Sequence, residues 1–599
     1  MMKVSDYILE ALAAAGAQTV FLVPGGAAMH LNDSLAGSTR LAHCSMFHEQ
    51  AAAVAAEASA KFRNNLGVAM VTAGPGSTNA ITGVASAWVN SAPLVIVSGQ
   101  VKTADLNQGH LRQSGLQEID IMSVVKPICK YAATIVDPNS ARFHTEKAIY
   151  EAKAGRPGPV WLAVPLDIQG TKIDPAAQQG FIPDAASNTS KEPYGSSLEE
   201  VIRRLNAAER PVLLAGCGIR IAGAERTFLE FVDVLGIPVQ TTWIGCDLLG
   251  NDHPLYAGRP GSFASRAANF AIQNADFMLA VGARLDLATT GYSRSRFARE
   301  AYRVAVDVDS AEISKLGNDI DAGLVLSADK FMGDVIARSG EVQRRDRTAW
   351  FERIRMWENR YPIVAPDCGT EAGGVSTYTL LEALGDLLTE EDVIVEGSAG
   401  VHSEIFFMAF KLKLGQRVLA DGSFGSMGYG LPAAIGTCLA AGRRRTILVE
   451  GDGSIQPQLQ ELETVRRENL PIKLIVVNNG GYSSIRVSQN RFFNRLIGAD
   501  HTSGLTLPSL EKVANAFGIR FTRIHKTVDV TVALRQVLEE EGPMLCEVVV
   551  PLEEDRVPRI ANLQRPDGSM VSKPMEDMFP FLERAEFLDN MIVSPVPEE

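Results

Sequence analysis

Paired cysteines are missing from this chain. Its 7 cysteines, at 44, 129, 217, 246, 368, 438 and 546, are scattered, and no CxxC occurs. An odd, dispersed set fits reduced thiols in a cytoplasmic compartment rather than a disulfide framework. Basic blocks are scarce too. The formal net charge is -13, and only GRRR at 442–445 stands out, which reads as a solvated loop before a strand. That argues against nucleic acid or acidic lipid as a partner. No apolar run approaches the roughly 18 residues of a membrane helix. The N-terminal MMKVSDYILEALAAAGA reads as an amphipathic helix interrupted by Asp6 and Glu10, without the apolar segment of a signal peptide. The expectation is a soluble cytoplasmic protein with no nucleic-acid or membrane partner.

What is present is 599 residues, of which 46% are hydrophobic. That length exceeds one core, since domains run to about 100–200 residues. Apolar runs such as TVFLVPGG, GVAMVTAGPGSTNA, PLVIVSGQ and PVWLAVPLD alternate with helical stretches such as EQAAAVAAEASAKF, indicating a parallel α/β sheet. A polar stretch at 171–197 reads as a linker. A second α/β unit runs from RPVLLAGCGIR to about YRVAVDVDSAEI. After an irregular stretch, a third unit carries DVIVEGSAG, RRTILVEGDGS, IKLIVVNNGG and PMLCEVVV. The predicted fold is α/β, with three doubly wound parallel-sheet domains at 1–172, 193–335 and 375–550 and a tail at 551–599.

The stretch EGDGSIQPQLQELETVRRENLPIKLIVVNN (450–479) sets Gly451-Asp452-Gly453 after one strand and Asn478-Asn479-Gly480-Gly481 after the next. Ligands of open α/β sheets bind at the carboxyl ends of strands. A carboxylate and an amide oxygen, both hard donors, would meet there, as Mg²⁺ prefers beside phosphate oxygens. The glycines allow close phosphate approach, and a helix starting after Gly453 would aim N–H groups at an anion. The stretch is expected to clamp a metal-bound diphosphate. An ordinary βαβ crossover is the competing reading of the triplet alone.

The GDG…NN spacing resembles the diphosphate motif of thiamine-diphosphate enzymes. The resemblance implies Mg²⁺ ligands Asp452, Asn479 and the Gly481 carbonyl, with Gly400, His402, Gly451, Gly453, Ser454 and Tyr482 also in the thiamine diphosphate site. Such cofactors need a carboxyl group at the pyrimidine N1′ to stabilise the imino tautomer, in an apolar site that keeps it protonatable. FHEQAAAVAAE offers Glu49 at the mouth of an alanine-rich helix, with Glu57 two turns on. TAGPGSTN, with Pro75 and Asn79, matches the family's pyrimidine block. In GSFGSMGYGLPAAIG, the Gly425 carbonyl is implied to accept from the 4′-amino group and Met427 to wedge the cofactor into a bent shape. Read without the motif, Glu49 is a helix-start charge and Met427 a core residue. In the family one subunit's Glu49 equivalent serves another subunit's diphosphate site, implying a homodimer or homotetramer.

Nearly the whole chain resembles the acetohydroxyacid synthase branch, through blocks such as VPGGAAMHLNDSL, LQEIDIMSVVKPICKYA, GRPGPVWLAVPLD and ADFMLAVGARLD. That branch binds FAD in its middle domain. The residues carried over are Arg156, Gly216, Gly218, Gly282, Arg284, Asp307 and Asp309, while a plain Rossmann-like turn is the weaker reading of the glycines. Gln117 matches a glutamine facing the reacting carbonyl, and Lys130 a lysine near the substrate channel. The paired histidines that pyruvate decarboxylases carry in the first domain are not visible, and Glu49 directly follows a single His48.

Two departures bear on substrate. The branch reads VGARFDDR, whose second arginine holds the acceptor's carboxylate, but here Ala288 stands there. It also places a tryptophan nine residues past the metal-binding asparagine, where this chain has Ser488. Losing an arginine clamp should weaken recognition of a second keto acid. The tail RPDGSMVSKPMEDMFPFLERAEF also differs, and either covers that pocket or packs on the surface. These features resemble ketone-accepting carboligases such as the one that branches a CDP-linked keto sugar in yersiniose formation. The expectation is a carboligase that decarboxylates pyruvate and transfers the two-carbon unit to a ketone or nucleotide-linked keto sugar. The alternatives are acetolactate synthesis from two 2-keto acids, a pyruvate oxidase-like flavoenzyme, or a silent binding or regulatory paralogue.

Overall fold

The computed structural model describes residues 1–107, 109, 111–183, 194–364, 373–397, 400–565 and 567–596. Residues 184–193 of the expected linker and residues 365–372 of the irregular stretch, around Cys368, lie outside the described residues.

The first unit contains β1 (Met2–Lys3), β2 (Thr19–Leu22), β3 (Ala42–Ser45), β4 (Gly67–Val71), β5 (Leu94–Gln100), β6 (Tyr131–Thr134), β7 (Val160–Pro165) and β8 (Lys172–Ile173). Six form a parallel sheet in the order β3-β2-β4-β5-β7-β6. The short β1 and β8 pair antiparallel, so the first residues read as linker instead fasten this unit's two ends together. The runs β4, β5 and β7 are buried at every residue, as parallel strands covered on both faces must be.

The central unit holds β9 (Pro211–Ala215), β10 (Val239–Thr241), β11 (Phe277–Val281), β12 (Tyr302–Asp307) and β13 (Ala322–Val325), in the order β10-β9-β11-β12-β13. It thus extends one strand past the VDVD segment. The third unit holds β14 (Val393–Glu396), β15 (Arg417–Ala420), β16 (Thr446–Gly451), β17 (Ile472–Asn478), β18 (Arg520–Ile524) and β19 (Met544–Val549), in the order β15-β14-β16-β17-β19-β18. Counted within each unit, the first and third sheets have the same strand order.

In both, a helix follows the second strand: Glu49–Arg63 after β3 and Gly430–Ala440 after β15. These equivalent helices pack on each other. A side chain on Gly436 would strike the Ala55 carbonyl, and every residue from Ala51 to Ala60 is buried. An alanine-rich sequence suits a helix buried all round, because small side chains let backbones approach on every side.

The tail is part of the central unit's core. Ile560, Met575 and Phe587 pack with Phe270, Trp350 and Trp357. Trp357 Nε1 donates to Asn590 Oδ1 at 2.8 Å, and the Ile592 N–H donates to Asn274 Oδ1 at 2.7 Å. A hairpin, β20 (Asn562–Gln564) and β21 (Met570–Ser572), stands out from it. No described helix is long and apolar enough to cross a membrane.

Candidate active site

β16 and β17 lie side by side with Gly451 opposite Val477, so Asp452 and Asn479 occupy adjacent strand ends. Asp452 is 3% exposed, and its carboxylate accepts from the Gly453 and Gly481 N–H groups, each at 3.0 Å. Burial raises its pKa to about 6 against those N–H groups, which favour the charged form. Asn479 Oδ1 and Ser454 Oγ are buried without partners. An unsatisfied buried polar group costs about 1–3 kcal/mol, and a hard cation with a phosphate would satisfy both atoms. Among the described residues no three His, Cys, Asp or Glu side chains cluster as a metal site. The donor set here, one carboxylate, one amide oxygen and a carbonyl, therefore fits Mg²⁺ completed by ligand oxygens. Gly481 has φ +131°, and a side chain there would press on the Ala499 carbonyl; one on Gly453 would lie 2.6 Å from the Tyr482 ring.

The helix expected immediately after Gly453 is not there. A 3-10 segment, Gln456–Glu461, comes first, with Gln458 out of helical geometry, and the α-helix spans only Leu462–Arg467. The Gln456 side chain takes the Asp452 carbonyl at 2.6 Å, the acceptor that an α-helical turn would have used. Anion-facing N–H groups must therefore come from the glycine turns.

At the first sheet, Glu49 is 9% exposed, and Asn79 Nδ2 donates to its Oε2 at 3.0 Å. The N-cap of its helix is His48, whose Nδ1 accepts from the Gln50 N–H at 3.1 Å, so Glu49 is not the capping group. Pro75 opens a short helix, Pro75–Asn79, behind Gly74 at φ +60°. A side chain on Gly74 would meet the Gln117 carbonyl, and Gln117 itself sits at φ +60°. Glu49, Pro75, Asn79 and Gln117 are thus gathered at one corner. Glu461, unforeseen in the sequence, anchors that corner from the third unit. Its Oε1 accepts from the Phe47 and His48 N–H groups at 2.9 and 3.2 Å. Only the chain's return through three dimensions reveals that role. Within one chain the Glu49 and Asp452 carboxylates bond to different partners.

Gly425 and Met427 lie on the loop between β15 and the Gly430–Ala440 helix. Gly425 has φ +69° and donates its N–H to the Asp421 carbonyl at 3.1 Å. Met427 is 42% exposed, so the core reading fails. Asp421 holds the loop by accepting from the Ser426 N–H at 3.1 Å and hydroxyl at 2.9 Å. Asn90 Nδ2 bridges Asp421 Oδ1 and Glu57 Oε1, each at 2.9 Å, and Lys61 lies 3.6 Å from Glu57. Glu57, placed by sequence only as a neighbour of Glu49, is thereby a fully buried brace for this loop.

Most of the residues carried over for FAD line a cavity of about 630 Å³ where the three units meet, with Arg156 from the first unit, Gly218, Gly282, Arg284 and Asp307 from the central unit and Arg417 from the third. Gly216 and Asp309 are not on its wall. A side chain on Gly216 would strike the Gly282 carbonyl, so its role is close backbone packing. Asp309 caps the helix Ser310–Leu316 and pairs with Arg156 at 3.1 Å. Arg284 Nη2 donates to Ser423 Oγ at 2.7 Å, joining cavity and loop.

Ala288 lies on the wall of that cavity. Ser488 is half-buried on the helix Ser483–Phe493, its Oγ donating to the Ile485 carbonyl at 3.0 Å. His402 is buried beneath Gly400, with Nε2 3.0 Å from the Gly397 carbonyl and Nδ1 unpartnered, rather than standing in an open cleft. Lys130 Nζ donates to the Ala154 carbonyl that follows a helix end, a structural contact.

The chain matches three family descriptions in order: the thiamine pyrophosphate enzyme N-terminal TPP binding domain (residues 2–124), central domain (198–334) and C-terminal TPP binding domain (398–548). It is 32% identical to the chloroplastic acetolactate synthase of Arabidopsis thaliana, over 93% of this chain and 83% of that protein. The chloroplastic acetolactate synthase 2 of Zea mays is also 32% identical, over 93% and 87%. The probable acetolactate synthase large subunit of Methanocaldococcus jannaschii is 31% identical, over 94% and 95%. With this coverage and the arrangement of Asp452, Asn479 and Glu49, the chain belongs to the acetohydroxyacid (acetolactate) synthase family and is a thiamine-diphosphate-dependent enzyme that forms carbon–carbon bonds.

Proposed function

We propose that the chain decarboxylates pyruvate and joins the two-carbon remainder to an acceptor carbonyl, with a second 2-keto acid as the acceptor that the relatives best support. The observation that carries this is the meeting of Asp452, the unpartnered Asn479 Oδ1 and Gly481 where β16 and β17 end. Asp452, Asn479 and the Gly481 carbonyl would hold Mg²⁺. Gly451, Gly453, Ser454 and Tyr482 would shape the diphosphate cradle, with Gly400 and His402 beside it. When bound, thiamine diphosphate supplies the nucleophilic carbon and the electron sink. Glu49, oriented by Asn79, holds a proton at the pyrimidine ring beside Pro75. The Gly425 carbonyl would accept from the ring's amino group, Met427 would support the cofactor from below, and Gln117 would orient the substrate carbonyl. As in the family, where one subunit's glutamate serves another subunit's diphosphate site, the complete site is shared between subunits of a homodimer or homotetramer. The glycines and basic side chains around the central cavity support FAD there, testable by flavin absorbance of the purified or reconstituted protein.

Ala288 and Ser488 favour a second reading, in which a larger ketone, such as a nucleotide-linked keto sugar, is the acceptor. Product analysis decides. Acetolactate formed from pyruvate alone supports the first reading. Coupling only when a ketone is added supports the second, and oxygen uptake with no coupled product would turn the assignment to an oxidase.

A further inference from the structure

We propose that Arg491 and Arg559 form an oxyanion site for the acceptor, binding a carboxylate or phosphate on the molecule that receives the two-carbon unit. This rests on the carboligase reading and specifies the chemical class of its acceptor. Arg486 Nη2 donates to the Asn479 carbonyl at 3.0 Å and also to the Leu552 carbonyl, so the start of the tail is tied to the metal-binding turn. Farther on, Arg559 bridges to Phe263, the Ile560 N–H donates to the Ser262 carbonyl at 2.9 Å, and the Ser262 N–H donates to the Ala288 carbonyl at 2.8 Å. The tail then meets the other wall, where Arg491 Nη2 donates to the Asn562 carbonyl at 2.7 Å. Arg491 is three residues past Ser488 on one helix, hence on the same face. Ala288 and Ser488, which come from different units, are therefore linked through the tail, and the tail and helix contribute Arg559 and Arg491 along that link.

The charges are unbalanced. The Arg559 guanidinium lies over the Phe579 ring at 4.9 Å and that of Arg491 over Phe492 at 5.4 Å. Among the described residues neither has a carboxylate at ion-pair distance, whereas neighbouring Arg556 pairs with Glu404. Arg491 and Arg556 repel Arg559, and Asp555 and Glu404 attract it; burial, then the repulsion, lowers its pKa. Guanidinium groups crowded by like charge, with donors to spare, suit a planar or tetrahedral oxyanion, which they bind through paired N–H groups. The clamp missing at position 288 is thereby supplied from the tail and the neighbouring helix.

The test uses full-length protein with thiamine diphosphate and Mg²⁺ and three probes: 2-oxobutyrate, dihydroxyacetone phosphate, and neutral dihydroxyacetone. Each is titrated calorimetrically into wild type, Arg491→Gln, Arg559→Gln, Arg559→Lys and the double glutamine variant, then used as acceptor with pyruvate. The expected result is roughly tenfold or greater loss of affinity, and a matching rise in KM, for a charged probe in the glutamine variants. Dihydroxyacetone and the decarboxylation of pyruvate with an electron-accepting dye should be unchanged, and Arg559→Lys should recover part of the loss. A loss confined to 2-oxobutyrate or to dihydroxyacetone phosphate identifies carboxylate or phosphate as the anion. Equal loss for charged and neutral probes, or none for either charged probe, overturns the proposal. Should Arg559→Gln fail to fold, Arg491→Gln, at an exposed helix position, carries the test. Wild type that never turns over pyruvate would defeat the carboligase reading, while calorimetry would still decide the oxyanion site.

Discussion

Asn479 Oδ1 is a buried acceptor with nothing to accept from, next to a carboxylate held by two backbone N–H groups. Such an atom costs stability in the free protein and gains a partner only when a cation arrives. The variant Asn479→Leu should therefore melt higher than wild type without ligands, by about 1 kcal/mol. It should also lose the stabilisation that thiamine diphosphate and Mg²⁺ give wild type. Thermal denaturation with and without both ligands checks this, and a variant still stabilised by the pair would count against Asn479 as a ligand. Asp452 and Asn479 were legible from the sequence because they directly follow two strongly apolar strands. Glu461 was not, because its contacts with Phe47 and His48 span more than 400 residues of chain.

Among the elements, the crossing of the helices Glu49–Arg63 and Gly430–Ala440 leaves no room for a side chain at Gly436. A methyl group on Gly436 would overlap the Ala55 carbonyl, which is backbone and cannot rotate away. Gly436→Ala should cost about 3 kcal/mol, seen as a lower denaturant midpoint; an unchanged midpoint would show that the crossing relaxes freely. The helix Val401–Ala409 carries the second element-scale prediction. Burial depresses the His402 pKa to about 4 from an ordinary value of 6.5. Burial also holds Glu396 well above the usual carboxylate range, so their 3.6 Å approach is not a fixed ion pair. The unfolded chain then takes up a proton that the folded chain refuses. This contribution to stability is complete above pH 6.5 and is lost as pH falls from 6.5 through 4. Relative to His402→Gln, wild type should lose about 2 kcal/mol between pH 7.5 and pH 5 in denaturant titrations. A constant difference would mean the ring is not buried as described. Long apolar strands were readable from sequence. Short or half-exposed strands such as β3, β6 and β18 were not, because AHCS, YAAT and RFTRI lack a continuous apolar run.

For the whole molecule, the sequence assigns all three units the same doubly wound α/β class, whereas the structure gives the first and third one strand order and opposes their equivalent helices. Chain periodicity cannot show that, because strand order is set by which strands pair after the crossovers. The tail, poor in motifs, belongs to the central core. Phe587 is 2% exposed there, so Phe587→Ala should cost about 3–5 kcal/mol. A midpoint within error of wild type would place the tail on the surface instead. The account as a whole is tested most directly by carbon-13 NMR of labelled pyruvate turned over by wild type and by Glu49→Gln. Wild type should release carbon dioxide and form a new carbon–carbon bond only with thiamine diphosphate and Mg²⁺ together, and Glu49→Gln should be slower by about 100-fold or more while still binding the cofactor. Turnover without the cofactor pair, or at an undiminished rate in Glu49→Gln, would contradict it.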